Sequence, residues 1–251
     1  MVGWLSFLNG QRAVQDLSSQ LRAELTARIQ QELKAYLDNS HSINQLNVDA
    51  FTQGELNVDT LNAPRFFHQT KVSPLTYSIY CAGEDGQFLG TTRSPEDGSF
   101  MLMTNNASTD QILRFYGLDK LGNRTQLLQT LSNYDPRTRP WYKAAVTVKR
   151  PVWSDIYLDF VVLLPTLTAS QPVYDSSSRL IGVCATDVLL TDDLRKFLAG
   201  LSIGKTGEAF VIDRSGAVVS SSTDEPLTVG EGEAATLLQA TESSNTVIRG
   251  T

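Results

Sequence analysis

From Val14 onward the apolar residues Leu17, Leu21, Leu25, Ile29, Leu33 and Leu37 return every three or four positions, with Arg12, Asp16, Arg22, Glu24, Arg28, Glu32 and Lys34 set largely between them. That spacing gathers the apolar side chains into one stripe along a long α-helix, a surface that must be covered. The helix is expected to end near Asp38-Asn39-Ser40, and a weaker helical pattern follows from Ser42-Ile43 to about Leu61, ahead of Pro64. Two coverings are open. Either the stripe packs on the chain's own body, or part of it meets the same helix of a second copy in a homodimer.

The remaining composition suits a packed core. Of 251 residues, 41% are hydrophobic and 19% charged, which excludes a disordered or low-complexity chain. A net charge of −6, from 21 Lys and Arg against 27 Asp and Glu, argues against a nucleic-acid partner, whose phosphates demand concentrated positive charge. Cys81 and Cys184 lack metal-knuckle spacing, and His41 and His68 lie far from both, so no metal site or cofactor is implied. His41, within Asn39-Ser40-His41-Ser42, reads as a solvated histidine at a helix end. No stretch reaches the ~18 apolar residues of a membrane span. The start Met1-Val2-Gly3-Trp4-Leu5-Ser6-Phe7-Leu8 is nonetheless greasy and aromatic, as suits a segment next to lipid headgroups. The expectation is an excised ectodomain whose flanking transmembrane helices are missing from this chain.

After Pro74 the character becomes β-rich. Leu75–Cys81, the turn Gly83-Glu84-Asp85-Gly86 and Phe88–Thr92 read as a hairpin. Further strands are expected at Ile112–Tyr116, Val152–Asp159, Leu167–Tyr174 and Leu180–Asp187, with a short helix at Pro140–Val146. Five or so antiparallel strands with short helices make an α+β module. A capped helix at Thr191–Leu198 leaves it, and Gly207–Asp213, Arg214-Ser215-Gly216 and Ala217–Ser220 form a second hairpin that echoes the first. The resulting division is 1–62 for the stalk and second helices, 63–190 for the large module and 191–251 for a smaller module, expected to be truncated, that borrows the long helix for its core.

Gly204-Lys205-Thr206 ends like a phosphate-binding loop, but the glycine required five residues before Gly204 is Ala199. No Gly-x-Ser-x-Gly elbow appears, and nothing supplies a nucleus for enzymatic chemistry. The informative cluster is Tyr134-Asp135-Pro136-Arg137-Thr138-Arg139-Pro140-Trp141-Tyr142. Its prolines restrict the backbone, so an arginine fork and aromatic rings are presented at little ordering cost, and such a fork suits a carboxylate. Tyr157 and Asp159, two apart on an expected strand, share a face, and Asp187 ends the last strand of the module. These acids make a cation-binding counterpart. The structural alternative is that Arg137 or Arg139 pairs with Asp135 or Asp155, Trp141 anchors the core, and Asp187 caps the next helix. For Arg137 and Asp155 the structural reading is preferred.

With these residues the sequence resembles the double Cache sensor domains, the periplasmic or extracellular ligand-binding regions of bacterial membrane receptors. The resemblance runs through Tyr134–Tyr142, Trp153–Asp159, Pro165–Tyr174, Ile181–Asp187 and Gly204–Asp213. It implies a long stalk helix carrying two PAS-like antiparallel-sheet modules, a membrane-distal large one and a membrane-proximal small one. The signature Asp135-Pro136-Arg137-x-Arg139-x-Trp141-Tyr142 identifies the fold. The fuller amino-acid-binding pattern is met at Tyr134, Arg139, Trp141, Tyr142, Tyr157, Asp159 and Asp187. The resemblance implies that Arg139 and Trp141 hold a ligand carboxylate, that Tyr157, Asp159 and Asp187 hold an ammonium, and that Tyr134 and Tyr142 line the pocket. One departure is Phe160-Val161-Val162-Leu163-Leu164, more apolar than the short polar turn expected after the aspartate.

The implied function is extracytoplasmic sensing of a small zwitterion, an amino acid or related amine, with any catalysis left to a cytoplasmic module absent from this chain. The alternative is a Cache-fold interaction or structural domain that binds another small molecule, such as a carboxylate, or none. The resemblance also sets the strands of Cys81 and Cys184 side by side, which permits a disulfide if their Cβ atoms face each other; buried free thiols are the expectation. The loop arithmetic predicts that ATP shows no saturable binding in a filter or calorimetric assay, and saturable binding abolished by Lys205→Ala contradicts it.

Overall fold

In a computed structural model that describes residues 2–56, 63–74, 76–106, 112–190, 192–201, 203, 207–230 and 234–250, the first stripe forms one helix, α1 (Val2–Thr52). Its 51 residues span about 76 Å at 1.5 Å per residue. The expected break near Asp38-Asn39-Ser40 does not occur. Glycine and proline are absent between Gly10 and Gly54, and the polar side chains there find tertiary partners: Ser40 is buried and Asn39 Nδ2 donates to Ser73 Oγ at 3.2 Å. The helix stops at Gly54, whose φ of 74° suits glycine. Gly54 N donates to Phe51 O and Glu55 N to Ala50 O, a Schellman closure. The second helix expected to about Leu61 is instead the end of α1 followed by α2 (Ala63–Val72). His41, expected at a solvated helix end, lies inside α1, half-buried and 5.1 Å from the Trp153 ring.

The β-rich region forms a larger sheet than expected. The hairpin β1 (Ser78–Gly83) and β2 (Phe88–Arg93) is joined by β3 (Phe100–Asn105), β4 (Leu113–Leu118) and β5 (Arg124–Leu131), and β3 and β5 have no counterpart in the sequence reading. After α3 (Pro140–Val148) come β6 (Val152–Trp153), β7 (Tyr157–Leu158), β8 (Pro165–Tyr174) and β9 (Leu180–Leu189). Among the described residues these nine strands make one antiparallel sheet in the order β5-β4-β3-β2-β1-β9-β8-β6, with β7 also on β8. The single strand expected over Val152–Asp159 is split. Trp153 pairs with Ala169 and Tyr157 with Thr166, so three residues on one side face two on the other, and the chain bulges at Ser154–Ile156.

Alternation along the central strands separates two interiors. Ile79, Cys81 and Cys184 point toward Ile43, Val48 and Ala50 of α1. Tyr80, Ala82, Val183 and Ala185 point the other way, toward Trp141, Tyr142 and Ala145 of α3. Asn44 on α1 ties itself to the sheet, donating to Ala169 O and accepting from Thr186 Oγ1, both at 2.8 Å.

Beyond the sheet, α4 (Asp192–Ala199) packs Leu194 and Leu198 with Leu201 and Ala209 against Leu25, Ile29 and Leu33 of α1. The second hairpin is β10 (Phe210–Ile212) and β11 (Val218–Ser221), followed by β12 (Thr228–Val229), β13 (Thr236–Leu237) and α5 (Thr246–Arg249). Val14, Leu17 and Leu21 remain exposed on α1. Gly204-Lys205-Thr206 lies outside the described residues.

The cysteines correct the free-thiol expectation. Cys81 and Cys184 are directly opposed across β1 and β9, their Cα atoms are 4.0 Å apart, and they form a disulfide. Chain spacing could not reveal this, because 103 residues separate them and only strand register brings the two Cβ atoms face to face. A cross-link closing so long a loop removes much unfolded-state entropy. Alkylation without reduction is therefore expected to add no mass, and the double variant Cys81→Ala/Cys184→Ala to lose about 2–5 kcal/mol in denaturant unfolding. Two alkylated thiols in protein made in an oxidising compartment refute the bridge.

Candidate functional site

The sheet face opposite α1 opens into a cavity of about 490 Å³, a size typical of small-molecule sites. Of the seven residues singled out from the sequence, Tyr134, Arg139, Trp141, Tyr157, Asp159 and Asp187 line it. Tyr142 does not. It is buried on α3 and its hydroxyl donates to Glu84 Oε1 in the β1–β2 turn, so it braces the wall from behind. On a helix, neighbouring positions 141 and 142 point about 100° apart, and the two aromatics cannot both face the ligand.

Asp187 anchors the floor. It sits inside β9, with β9 running on to Leu189, and it caps no helix. Register places it opposite Thr168 on β8 and Ser78 on β1. Its Oδ1 accepts from Thr168 Oγ1 at 2.6 Å and from Tyr80 Oη at 2.7 Å. Both donors land on one oxygen, and Oδ2 has no protein donor among the described residues. Tyr157 Oη bonds Thr168 Oγ1 at 2.8 Å and extends the network. Burial, and then the nearby charge of Asp159, push the Asp187 carboxyl up to about 7, against the pull of the Thr168 and Tyr80 hydrogen bonds. Burial also holds Tyr80, Tyr134 and Tyr157 protonated well above their ordinary range.

Asp159 lies just past β7, in a tight turn closed by Asp159 N to Leu164 O at 2.9 Å and Leu163 N to Asp159 O at 3.0 Å. Its Oδ1 accepts from Val161 N and Val162 N at 2.8 and 2.9 Å. Burial raises its pKa, opposed by those two amides and by the charge of Arg139.

The arginines divide as the sequence suggested. Asp135 caps the 3₁₀ turn Pro136–Thr138 by accepting from Arg137 N, and it takes Arg137 Nε and Nη2 at 3.0 and 2.9 Å. Arg137 also donates to Glu84 O, so it pins the loop to the first hairpin. Asp155 is exposed. Arg139 precedes Pro140 at the start of α3 and has no such partner. Its guanidinium lies 4.2 Å from the Phe160 ring centroid and 5.6 Å from that of Tyr134. Among the described residues lining the cavity, Arg139 Nε is the one buried side-chain polar atom without a hydrogen bond. Stacking leaves the edge donors of the fork unspent.

The apolar run after Asp159 thus has a local role. Phe160, Val161, Val162 and Leu164 form one wall, with Phe160 as the platform for Arg139. Sequence reasoning missed Tyr80 and Thr168, the partners of Asp187. Their signal is register alone, since Thr168 faces Asp187 directly and Tyr80 lies two residues from Ser78 on the same face.

Comparison with known proteins bears on the fold. Residues 86–194 match the family described as methyl-accepting chemotaxis protein-like, first PDC sensor domain. The methyl-accepting chemotaxis protein McpA of Pseudomonas putida is 36% identical over 93 residues, which covers 37% of this chain and 14% of McpA. The chain therefore corresponds to a small part of that receptor's length. Among solved structures, the ligand-binding domain of Mlp24 with asparagine is similar at a TM-score of 0.55 and 16% identity, covering 82% of this chain and 72% of that one. The ligand-binding domain of the Campylobacter jejuni chemoreceptor Tlp3 with 4-methylisoleucine is similar at a TM-score of 0.51 and 15% identity, covering 87% and 72%. At such identities these two structures share the fold. Over residues 86–194 this chain is thus similar to the first PDC sensor domain of methyl-accepting chemotaxis protein-like proteins, and its α+β structure on a long N-terminal helix has the fold of the solved chemoreceptor ligand-binding domains.

Proposed function

We propose that this chain is the extracytoplasmic sensing region of a transmembrane chemotaxis receptor and that its cavity binds a small zwitterion, an α-amino acid or related amine. The observation that carries the reading is the presence, in one cavity, of an arginine whose buried Nε has no hydrogen-bond acceptor and of two carboxylates, Asp187 buried and Asp159 half-buried, that make no ion pair among the described residues. Burying charge is costly unless it is matched, and a zwitterion matches both ends at once. Arg139 with Trp141 takes the carboxylate; Asp187, Asp159 and the Tyr157 hydroxyl take the ammonium; Tyr134 closes the side. The amino-acid ligands named for the Mlp24 and Tlp3 structures support the same class. Binding shifts the population of sheet and α1 arrangements, and α1 passes the shift toward the membrane. The exposed Val14, Leu17 and Leu21 support a homodimer along that helix.

A thermal-shift screen of natural amino acids is the direct test, because a ligand that binds only the native state raises the melting temperature. Arg139→Ala and Asp187→Ala are each expected to cost roughly 2–5 kcal/mol of binding, about thirtyfold or more in Kd. Arg137→Ala is expected to cost less, and the ligand's α-amide and N-acetyl forms to bind poorly to the unmutated protein. Equal binding of both derivatives, or unimpaired binding by Arg139→Ala, excludes the zwitterion site.

The Asp187 carboxyl also sets a pH dependence. Its pKa in the folded protein, about 7, lies above the ordinary value near 4, so the ligand-free fold gains stability from this group as pH falls through that window. Ligand affinity runs the other way, since the ammonium needs the ionised form. Titration calorimetry from pH 8 to 5.5 is expected to show Kd weakening by up to about tenfold per unit below 7. Affinity that is flat or rises on acidification removes Asp187 from the ammonium site.

A further inference from the structure

The cavity floor reads as a grid, because strand register lines side chains up across six strands. One row runs Asp187, Ser78, Thr92, Met101 across β9, β1, β2 and β3. The row two residues away runs Ala185, Tyr80, Gly90, Met103, Phe115, Gln129, reaching β5. Polarity falls along the first row, from the acid on β9 to Met101 on β3. In the second, Met103 and Phe115 on β3 and β4 stand between Tyr80 and the exposed Gln129.

Gly90 lets Tyr80 pack tightly across it, since a Cβ built there would come within 2.2 Å of Tyr80 Cβ. Beyond Tyr80 the cavity is lined by Met103, Phe115 and Leu113, each 5% exposed or less, which make its apolar end. On the floor the hydroxyls of Ser78 and Thr92 are bonded to each other at 2.8 Å. Of the other polar lining residues at this end, Glu96 and Gln129 are exposed, and Ser94 Oγ accepts from Glu96 N and Asp97 N. A carboxylate, amide or ammonium set against Met103, Leu113 and Phe115 loses its water without replacement, whereas an apolar chain gains contact with an adaptable methionine.

We infer that the ligand is an amino acid with a large apolar side chain, of leucine, methionine or phenylalanine size, which lies against Met103, Leu113 and Phe115, and that these residues set specificity. The inference rests on the zwitterion reading above.

The test is titration calorimetry of the unmutated protein with leucine, methionine, phenylalanine, alanine, asparagine, aspartate and lysine. At least one large apolar amino acid is expected to bind about tenfold or more tighter than alanine, and tighter still than the polar and charged members. The near-isosteric Met103→Gln, with folding checked by circular dichroism, is expected to weaken that ligand by about tenfold and to narrow its advantage over asparagine. Preferred binding of asparagine, aspartate or lysine, or equal affinity across the series, overturns the side-chain assignment and leaves the zwitterion site standing. Absence of binding by every amino acid overturns both.

Discussion

The two-residue period of β1 and β9 is the constraint on which the rest depends. Consecutive side chains on these strands serve different interiors: Cys184 and Thr186 face α1, while Ala185 and Asp187 face the cavity. The disulfide locks the register of the pair on the helix side. A slip of one residue would put Asp187 against α1 and Thr186 in the cavity, so the cross-link that steadies the core also places the acid. The same geometry supplies a short path out of the site. Thr186, bonded to Asn44 of α1, is the chain neighbour of Asp187, and any strand adjustment at one is felt at the other.

The site is electrically incomplete by itself. Desolvation raises the pKa values of two carboxylates, Asp187 buried and Asp159 half-buried, and one guanidinium stacks on rings with its buried Nε lacking an acceptor. Their neighbours do not neutralise them but orient them: Thr168 and Tyr80 hold one oxygen of Asp187, Val161 and Val162 hold Asp159, and Phe160 and Tyr134 flank Arg139. Under the proposed reading, such preorganisation leaves a ligand of matching charge little ordering cost to meet on binding. The apolar turn after Asp159 belongs to this arrangement. Its amides satisfy the carboxylate, and its first ring supports the opposite charge.

A loop sequence and a strand sequence contribute in different ways. The 134–142 segment carries its geometry locally, through Asp135 capping its own turn, Pro140 starting α3, and Arg137 spent on Asp135 and Glu84. Six of the seven residues marked from sequence accordingly line the cavity. Tyr142 is the exception, because helical rotation, invisible in a motif written as adjacent letters, turns it toward Glu84. The continuous course of α1 through Asn39 and Ser40 was hidden for a related reason: polar residues that read as a helix end are satisfied by Ser73 and by burial against the sheet.

What the sequence by itself determined is whatever depends on near neighbours: the amphipathic helix from its 3.6-residue period, the first hairpin from its turn residues, the capped arginine loop, and an acid two residues from a tyrosine. What only the tertiary structure decided depends on register between distant strands. The Cys81–Cys184 bond, the Tyr80 and Thr168 partners of Asp187, the additional strands β3 and β5, and the apolar end of the cavity at Met103, Leu113 and Phe115 all depend on how segments pair in the sheet. The physical reason is that a strand's own residues fix which side chains share a face, while the depth, charge and partners of that face come from whichever strands and helix are packed against it.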